Sequence, residues 1–226
     1  MTGLRQVVLF GSSGQAASYV KCFTHDHATG PLCEVVAMID DYRGGQGHLV
    51  HGIPVIGFEH WQSELRDKPC FISVGNPKAR RQIALRLAQA GGTFVDFHPS
   101  AGEFPGVHAG GGTYLHPAIS VMSDVVIGDH VQTMPFTVIG HDVRIGSYVT
   151  MCSSVTVSGH VVIEDEVFIG AGAVLGNGTA ARPLVIGRGA TVGVGAVVTK
   201  SVAPDTTVMG NPARPLRELA RSRRGD

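Results

Sequence analysis

The hydrophobic and polar positions of this chain follow two rules, one over residues 1–103 and another over 104–226. In the first part, short apolar runs alternate with longer mixed stretches. "QVVLF" reads as a buried strand that enters the turn "GSSGQ" and then a helix, "AASYVKCFTHDH". "CEVVAMIDD" is a second strand closed by two acids, "HGIPVIG" a short extended piece, and a helix is expected around Trp61 and Leu65. "PCFISVGN" is a third strand. "PKARRQIALRLAQAGG" is the clearest helix: Pro77 stands at its start, Ile83, Leu85, Leu87 and Ala90 are expected to face inward, and glycines end it. "TFVDFHP" closes the unit. Strands alternating with helices predict a small parallel α/β sheet.

From residue 107 the chain divides into sixes: VHAGGG, TYLHPA, ISVMSD, VVIGDH, VQTMPF, TVIGHD, VRIGSY, VTMCSS, VTVSGH, VVIEDE, VFIGAG, AVLGNG. After five extra residues, "TAARP" at 179–183, it resumes as LVIGRG, ATVGVG, AVVTKS, VAPDTT, VMGNPA. First positions are Val, Ile, Leu, Ala or Thr, third positions are usually aliphatic, and fourth positions are often Gly. Sandwich strands and turns vary in length, so seventeen units in one register point instead to a parallel β-helix.

Composition agrees with a repeat. The 226 residues include 31 glycines and only 6% aromatics, unusual for a helix-rich or sandwich core. Eighteen basic residues balance eighteen acidic ones, so no electrostatic case exists for nucleic acid or an anionic membrane. The apolar run near the N-terminus is too short for a signal peptide or a membrane span. The cysteines Cys22, Cys33, Cys70 and Cys152 contain no CxxC pair, which argues against a zinc ribbon and for a reducing, cytoplasmic setting.

The strict hexad resembles the left-handed β-helix of hexapeptide-repeat acyltransferases, whose three-sided coils of eighteen residues imply which side chains stack. His141 then shares a column with Ser123 and Gly159, and Asp142 one with Asp124 and His160. His116 stacks under Met134 and Cys152, and His130 under Tyr148. No column joins two histidines, so no metal site is expected. His141 is expected to project from a flat face, under a glycine whose backbone amide and space are free for a ligand. Cys152 as a nucleophile finds no base in its column.

Taken whole, "VVLFGSSGQ", "MIDD", "SVGNPKARRQ", "FHPSA", "GHD" and "MGNPARPL" resemble the bacterial sugar acetyltransferases that N-acetylate nucleotide-linked amino sugars, and the related sialic acid O-acetyltransferases. The resemblance implies a small Rossmann-like parallel α/β domain that holds a nucleotide-activated sugar, followed by a left-handed β-helix that holds acetyl-CoA. It implies a homotrimer with active sites between subunits, acetyl-CoA as co-substrate, and neither metal nor acyl-enzyme. The general base maps onto His141, with Asp142 orienting or balancing it. An unperturbed histidine, with a pKa of about 6.5, accepts an amine proton near neutral pH. Backbone N–H groups near glycines serve the oxyanion, and positioning of two bound substrates supplies much of the remainder.

On the nucleotide side, Gly11, Ser12, Ser13 and Gly14 form a GxxG turn that lets amides approach a phosphate. Asp40 and Asp41 end a strand where an acid accepts from a ribose or base edge. Gly75, Asn76 and Arg80 are candidates for the diphosphate or sugar, although a capped helix with a solvated basic face would read the same way. For CoA, Gly159, Gly170, Ala171 and Asn177 are expected along the groove, Asn177 from its place in the His141 column. The resemblance implies Gly210, Asn211 and Pro212 at the adenine end, where a Pro-rich exit from the last coil would read the same way. Three positions depart from the family pattern: Gln15 and Thr150 where relatives carry histidine, and Met134 where they carry asparagine. All three are expected to touch sugar or acetyl, and their change points to a different acceptor or acyl donor. Two alternatives stay open: O-acetylation of a sugar hydroxyl, and nucleotide-sugar binding without turnover. An oxidoreductase is disfavoured by the incomplete dinucleotide fingerprint.

Overall fold

In the computed structural model, residues 4–24, 32–97 and 106–224 are described, the side chains of 221–224 excepted. The end of the first expected helix, most of "FHPSA" and the expected boundary at 103/104 lie outside these residues. Contacts divide the chain into two compact units, Met1–Gly75 with Ala79–Asp96, and Asn76–Lys78 with Phe97–Asp226.

The first unit carries β1 (Gln6–Phe10), α1 (Gly14–Thr24), β2 (Glu34–Ile39), β3 (Leu49–Val50), β4 (Ile53–Ile56), α2 (Phe58–His60), β5 (Cys70–Ile72) and α3 (Pro77–Gln89). A π-helical turn, Trp61–Leu65, extends α2 where a helix was expected. The sheet order is β3-β4-β2-β1-β5, parallel except for the β3–β4 hairpin. In α3 the inward stripe is Arg80, Ala84 and Leu87, whereas Leu85 is 48% exposed. The expected inward set is corrected here: 83, 85 and 87 alternate, while a helix buries residues three and four apart.

The second unit is a three-sided parallel β-helix. Its first face stacks Val107–Ala109, Val125–Ile127, Arg144–Ile145, Val161–Ile163 and Leu184–Ile186. The second stacks Gln132–Thr133, Thr150–Met151, Phe168–Ile169, Thr191–Val192 and Thr207–Met209. The third stacks Ser120–Val121, Val138–Ile139, Thr156–Val157, Val174–Leu175 and Val197–Val198. Val138 pairs with Ser120 below and Thr156 above, so a coil takes eighteen residues.

Each hexad position has a physical task. First-position Val125, Val131, Val143, Val149, Val155, Val161 and Val167 are fully buried, as are third-position Ile139, Met151 and Ile169. Branched side chains suit these short extended segments. Fourth-position glycines sit at tight corners: a Cβ on Gly128 or Gly146 would come within 2.7 Å of a backbone nitrogen one coil away. The sixth position is left-handed in Asp124, His130, Phe136, Asp142, Tyr148, Ser154, His160 and Glu166. That conformation costs a non-glycine residue about 1 kcal/mol, and coil stacking on both sides imposes it. Fifth-position side chains form a ladder between coils: Asp129 accepts from Gly111 N–H (2.9 Å), Asp165 from Ser147 N–H (2.9 Å) and Asn177 from Gly159 N–H (2.8 Å).

The single register of seventeen units is corrected at its end. Val202 bridges Ile186 and Val208 pairs with Val192, so the last turn is two residues short and these valines fill third-position columns. Arg214–Pro215 then pairs antiparallel with Thr207–Met209, and a helix α4 (Leu216–Arg224) follows, which the sequence reading did not expect. Among the described residues no helix is long and apolar enough to cross a membrane.

The extra residues 179–183 form a closed excursion. Thr179 and Arg182 exchange backbone hydrogen bonds of 2.9 and 3.0 Å, and a Cβ on Gly178 would lie 2.4 Å from the nitrogen of Leu184. The loop therefore departs and returns at one point. Excising 179–183 restores the hexad rhythm and is expected to leave a folded chain whose Tm stays within about 4 °C, the shift that about 1 kcal/mol causes at this size. Thermal denaturation checks it; a collapse of Tm would show that the loop carries the coil.

Candidate active site

His141 and Asp142 occupy the corner where the third face passes into the first, not a flat face as expected from the sequence. Asp142 is the left-handed sixth residue of its hexad (φ 58°). His141 is a fifth-position residue, yet it does not join the inter-coil ladder. Its Nδ1 lies 2.7 Å from Asp142 Oδ2, and both side chains are 49% exposed. The hydrogen bond from His141 holds the Asp142 carboxyl below its usual range, against a smaller effect of burial. An ionised Asp142 can only accept, so His141 Nδ1 donates and the Nε2 lone pair is the one left for chemistry. Nε2 makes no hydrogen bond among the described residues.

Gly159 makes room for this ring. A Cβ there would come 2.7 Å from Nε2 and 2.8 Å from Cε1 of His141. The expectation of a free Gly159 amide is corrected: the Asn177 side chain accepts its N–H, one rung of the ladder common to the coils. Asn177 is thus tied to the corner through its amide oxygen.

The reading that no two histidines meet is also corrected. His141 and His160 have ring centroids 5.2 Å apart at 88°, and His160 Nδ1 lies 3.9 Å from Asp142 Oδ2. They are nineteen residues apart, one coil plus one step around the corner, so a search by columns alone misses them. Donor atoms of His141, Asp142 and His160 lie within 4.8 Å of one another, a set able to ligate a metal. A groove of about 450 Å³ opens beside them, lined by Asp124, Asp142, Arg144 and His160 and walled by Thr179 and Pro183 of the inserted loop.

Because Asp142 is depressed below an unfolded value of about 3.9, its bond to His141 is complete above that value and is lost only as pH falls through the folded one. The His141 Nδ1–H resonance is therefore expected to persist as pH is lowered through the ordinary aspartate range and to be lost only below it. Its loss at higher pH would contradict an ionised partner.

Other expected residues lie elsewhere on the β-helix. Thr150 is on the second face and 2% exposed, and Met134 follows a strand of that face. Gly170 and Ala171 stand at the corner between second and third faces, and Gly210 to Pro212 follow the last second-face strand. Within one chain, none of these belongs to the His141 corner. Burial pushes the Cys152 thiol up, which disfavours a thiolate nucleophile.

In the first unit, Gly11 has φ 111°, and a Cβ there would come 2.7 Å from Ser73 Oγ, so the turn accepts only glycine. Buried Ser12 donates to Asp40, whose other oxygen accepts the N–H groups of Tyr42 (2.9 Å) and Arg43 (3.0 Å). Burial pushes the Asp40 carboxyl up, but these bonds together bring it below its ordinary range. Ser13 caps α1 through its carbonyl, which accepts from Ala17 N–H ahead of Gly14. The Gln15 amide lies against Gly75, where a Cβ would be 2.7 Å from its oxygen. Asp41 pairs with Arg86 at 2.6 Å, and that guanidinium covers the Phe58 ring at 3.8 Å. Arg80 is only 1% exposed and donates to the Val74 carbonyl (2.8 Å), so it is a buried tie and not the solvated basic group weighed above. Asn76 directly precedes α3.

The family described as "Bacterial transferase hexapeptide (six repeats)" matches residues 124–159, which include the His141–Asp142 corner and Gly159. GDP-perosamine N-acetyltransferase of Escherichia coli O157:H7 is 33% identical over 184 residues, covering 80% of this chain and 82% of that protein. Among solved structures, WeeI from Acinetobacter baumannii AYE is 31% identical with a TM-score of 0.79, over 94% of this chain and 100% of that one. PerB from Caulobacter crescentus, in complex with CoA and GDP-perosamine, is 25% identical with a TM-score of 0.77, over 93% and 96% of the two chains. Likeness of that extent, in sequence and in both units of structure, makes this chain a member of the hexapeptide-repeat sugar acetyltransferases, acyltransferases built on a left-handed β-helix.

Proposed function

We propose that this protein transfers an acetyl group from acetyl-CoA to the amine of a nucleotide-linked amino sugar, with His141 as general base. The observation that carries the reading is the Asp142–His141 pair, which fixes the tautomer with Nε2 open. The amine nitrogen attacks the thioester carbonyl, the C–N bond forms and the C–S bond breaks. The amine proton passes to Nε2 and then to the departing CoA thiolate, leaving amide and thiol. Asp142 offsets the imidazolium formed between these steps.

The first unit supports a nucleotide. Gly11, Ser12 and Asp40 lie at the carboxyl ends of β1 and β2, and Gly11 meets Ser73 just beyond β5. The chain passes from one side of β1 to the other between β2 and β5, the switch point where open α/β sheets bind ligands. Gly170, Ala171 and Gly210 to Pro212 stand away from His141 in one chain, which suits a homotrimer whose neighbouring subunit supplies the CoA surface.

GDP-perosamine, the ligand of the PerB structure, is the first acceptor to try. The test is acetyl-CoA turnover against GDP-, UDP- and dTDP-linked amino sugars and against sialic acid, with and without EDTA. Turnover of an amino sugar that survives the chelator is expected. Acetylation of sialic acid alone would replace this reading with O-acetylation, and loss of turnover in EDTA would return the His141–Asp142–His160 donors to a metal.

A further inference from the structure

His160 touches the base without belonging to its hexad. Its backbone N–H donates to the His141 carbonyl (3.1 Å) and its carbonyl accepts from Leu184 N–H (3.1 Å), so the residue is pinned from both neighbouring coils. Its φ of 55° directs the side chain along the corner, where the ring stands perpendicular to that of His141 with centroids 5.2 Å apart. The 3.9 Å from its Nδ1 to Asp142 is too long for a hydrogen bond, so the contact that matters is ring against ring.

A half-exposed imidazole under a glycine has several staggered orientations available. Asp142 fixes Nδ1 but leaves the ring free to swing about that bond, and Gly159, against which the ring lies, has no side chain to hold it there. We propose that His160 is a positioning residue for acetyl transfer: its ring is the wall that leaves His141 one orientation, with Nε2 directed at the acceptor. The proposal rests on the reading of His141 as the base. Without the wall, the rate falls by the fraction of time His141 spends elsewhere. For a few comparable wells that is about threefold to tenfold.

The repeat itself supplies tolerant substitutions. Other sixth positions hold Gly112 and Gly172, Phe136 and Tyr148, and Ser154 in the same left-handed conformation. His160→Gly removes the ring without backbone strain, His160→Phe keeps a ring without nitrogens, and His160→Ser serves if the glycine variant fails to fold. The kcat and KM values would be measured with acetyl-CoA and GDP-perosamine, alongside ¹⁵N imidazole spectra of His141.

The expected result is a kcat lowered about threefold to tenfold in His160→Gly at unchanged KM for both substrates. His160→Phe should recover most of it, and His141 should show more than one conformer only in the glycine variant. Full kcat in His160→Gly would overturn the proposal. So would a phenylalanine variant as slow as the glycine one, which would assign the effect to a nitrogen, or a change confined to KM, which would make His160 a ligand contact. Should His141→Asn prove active, the base reading has failed by itself; the spectra still decide the wall, and a single His141 conformer in His160→Gly would remove it.

Discussion

Replacing His141 by asparagine is expected to lower kcat by about 10²- to 10⁴-fold while binding of acetyl-CoA and acceptor persists. Asparagine fits the corner, because His141 is half exposed and no inter-coil hydrogen bond depends on its side chain. Folding is therefore expected to be unaffected. What disappears is the acceptor for the amine proton: an amide nitrogen does not take it up near neutral pH. The ammonium formed by attack then has to lose its proton to water, in competition with collapse back to thioester. Calorimetric titration of both ligands beside steady-state kinetics separates binding from chemistry. A variant that turns over at the wild-type rate would remove His141 from the mechanism and leave positioning of the thioester as the whole of catalysis.

The second large effect is expected at a residue with no chemistry of its own. Gly159→Ala places a methyl group 2.7 Å from His141 Nε2, closer than any real contact. The backbone there accepts alanine, and the obstructing atoms belong to a movable side chain. Stability is therefore expected to change little while the imidazole is displaced. A displacement of about 1 Å at a reacting group costs on the order of 10²-fold in rate. The expected signature is a kcat about 10²-fold lower at near-normal Tm, read by kinetics and thermal denaturation on one preparation. An unchanged kcat would mean that His141 works from an orientation that does not lie against Gly159.

These two residues show how much of the site could be read in advance. "GHD" stands out in the hexads because a histidine and an acid occupy positions that the fold assigns only to a turn. Counting by eighteen correctly places Gly159 and Asn177 over His141, and the ladder from Gly159 to Asn177 follows that count. His160 escapes the same count because it is nineteen residues away, and a corner brings neighbouring columns together as a flat face does not. Arg80 shows a related limit, since its burial could not be read from the sequence. A guanidinium on a helix beside glycines reads as a solvated basic group or a phosphate ligand, and only packing shows it buried with Nη1 on the Val74 carbonyl. In α3, apolar residues at alternating positions misled, since burial there follows Arg80, Ala84 and Leu87.

By itself, the sequence determined the β-helix and its register through the long run of coils from Val107 to Leu175, because each coil repeats the same demand: an apolar first and third residue and a turn at the sixth. A demand repeated so often leaves no other register that buries as much. Tertiary structure alone decided the last, shortened turn, the closed path of the loop at 179–183, and the meeting of His141, Asp142 and His160. The reason is physical. Hydrophobic periodicity acts along the chain and is legible there, whereas the contacts of a corner depend on the angle between two faces and on which side chains that angle brings within reach.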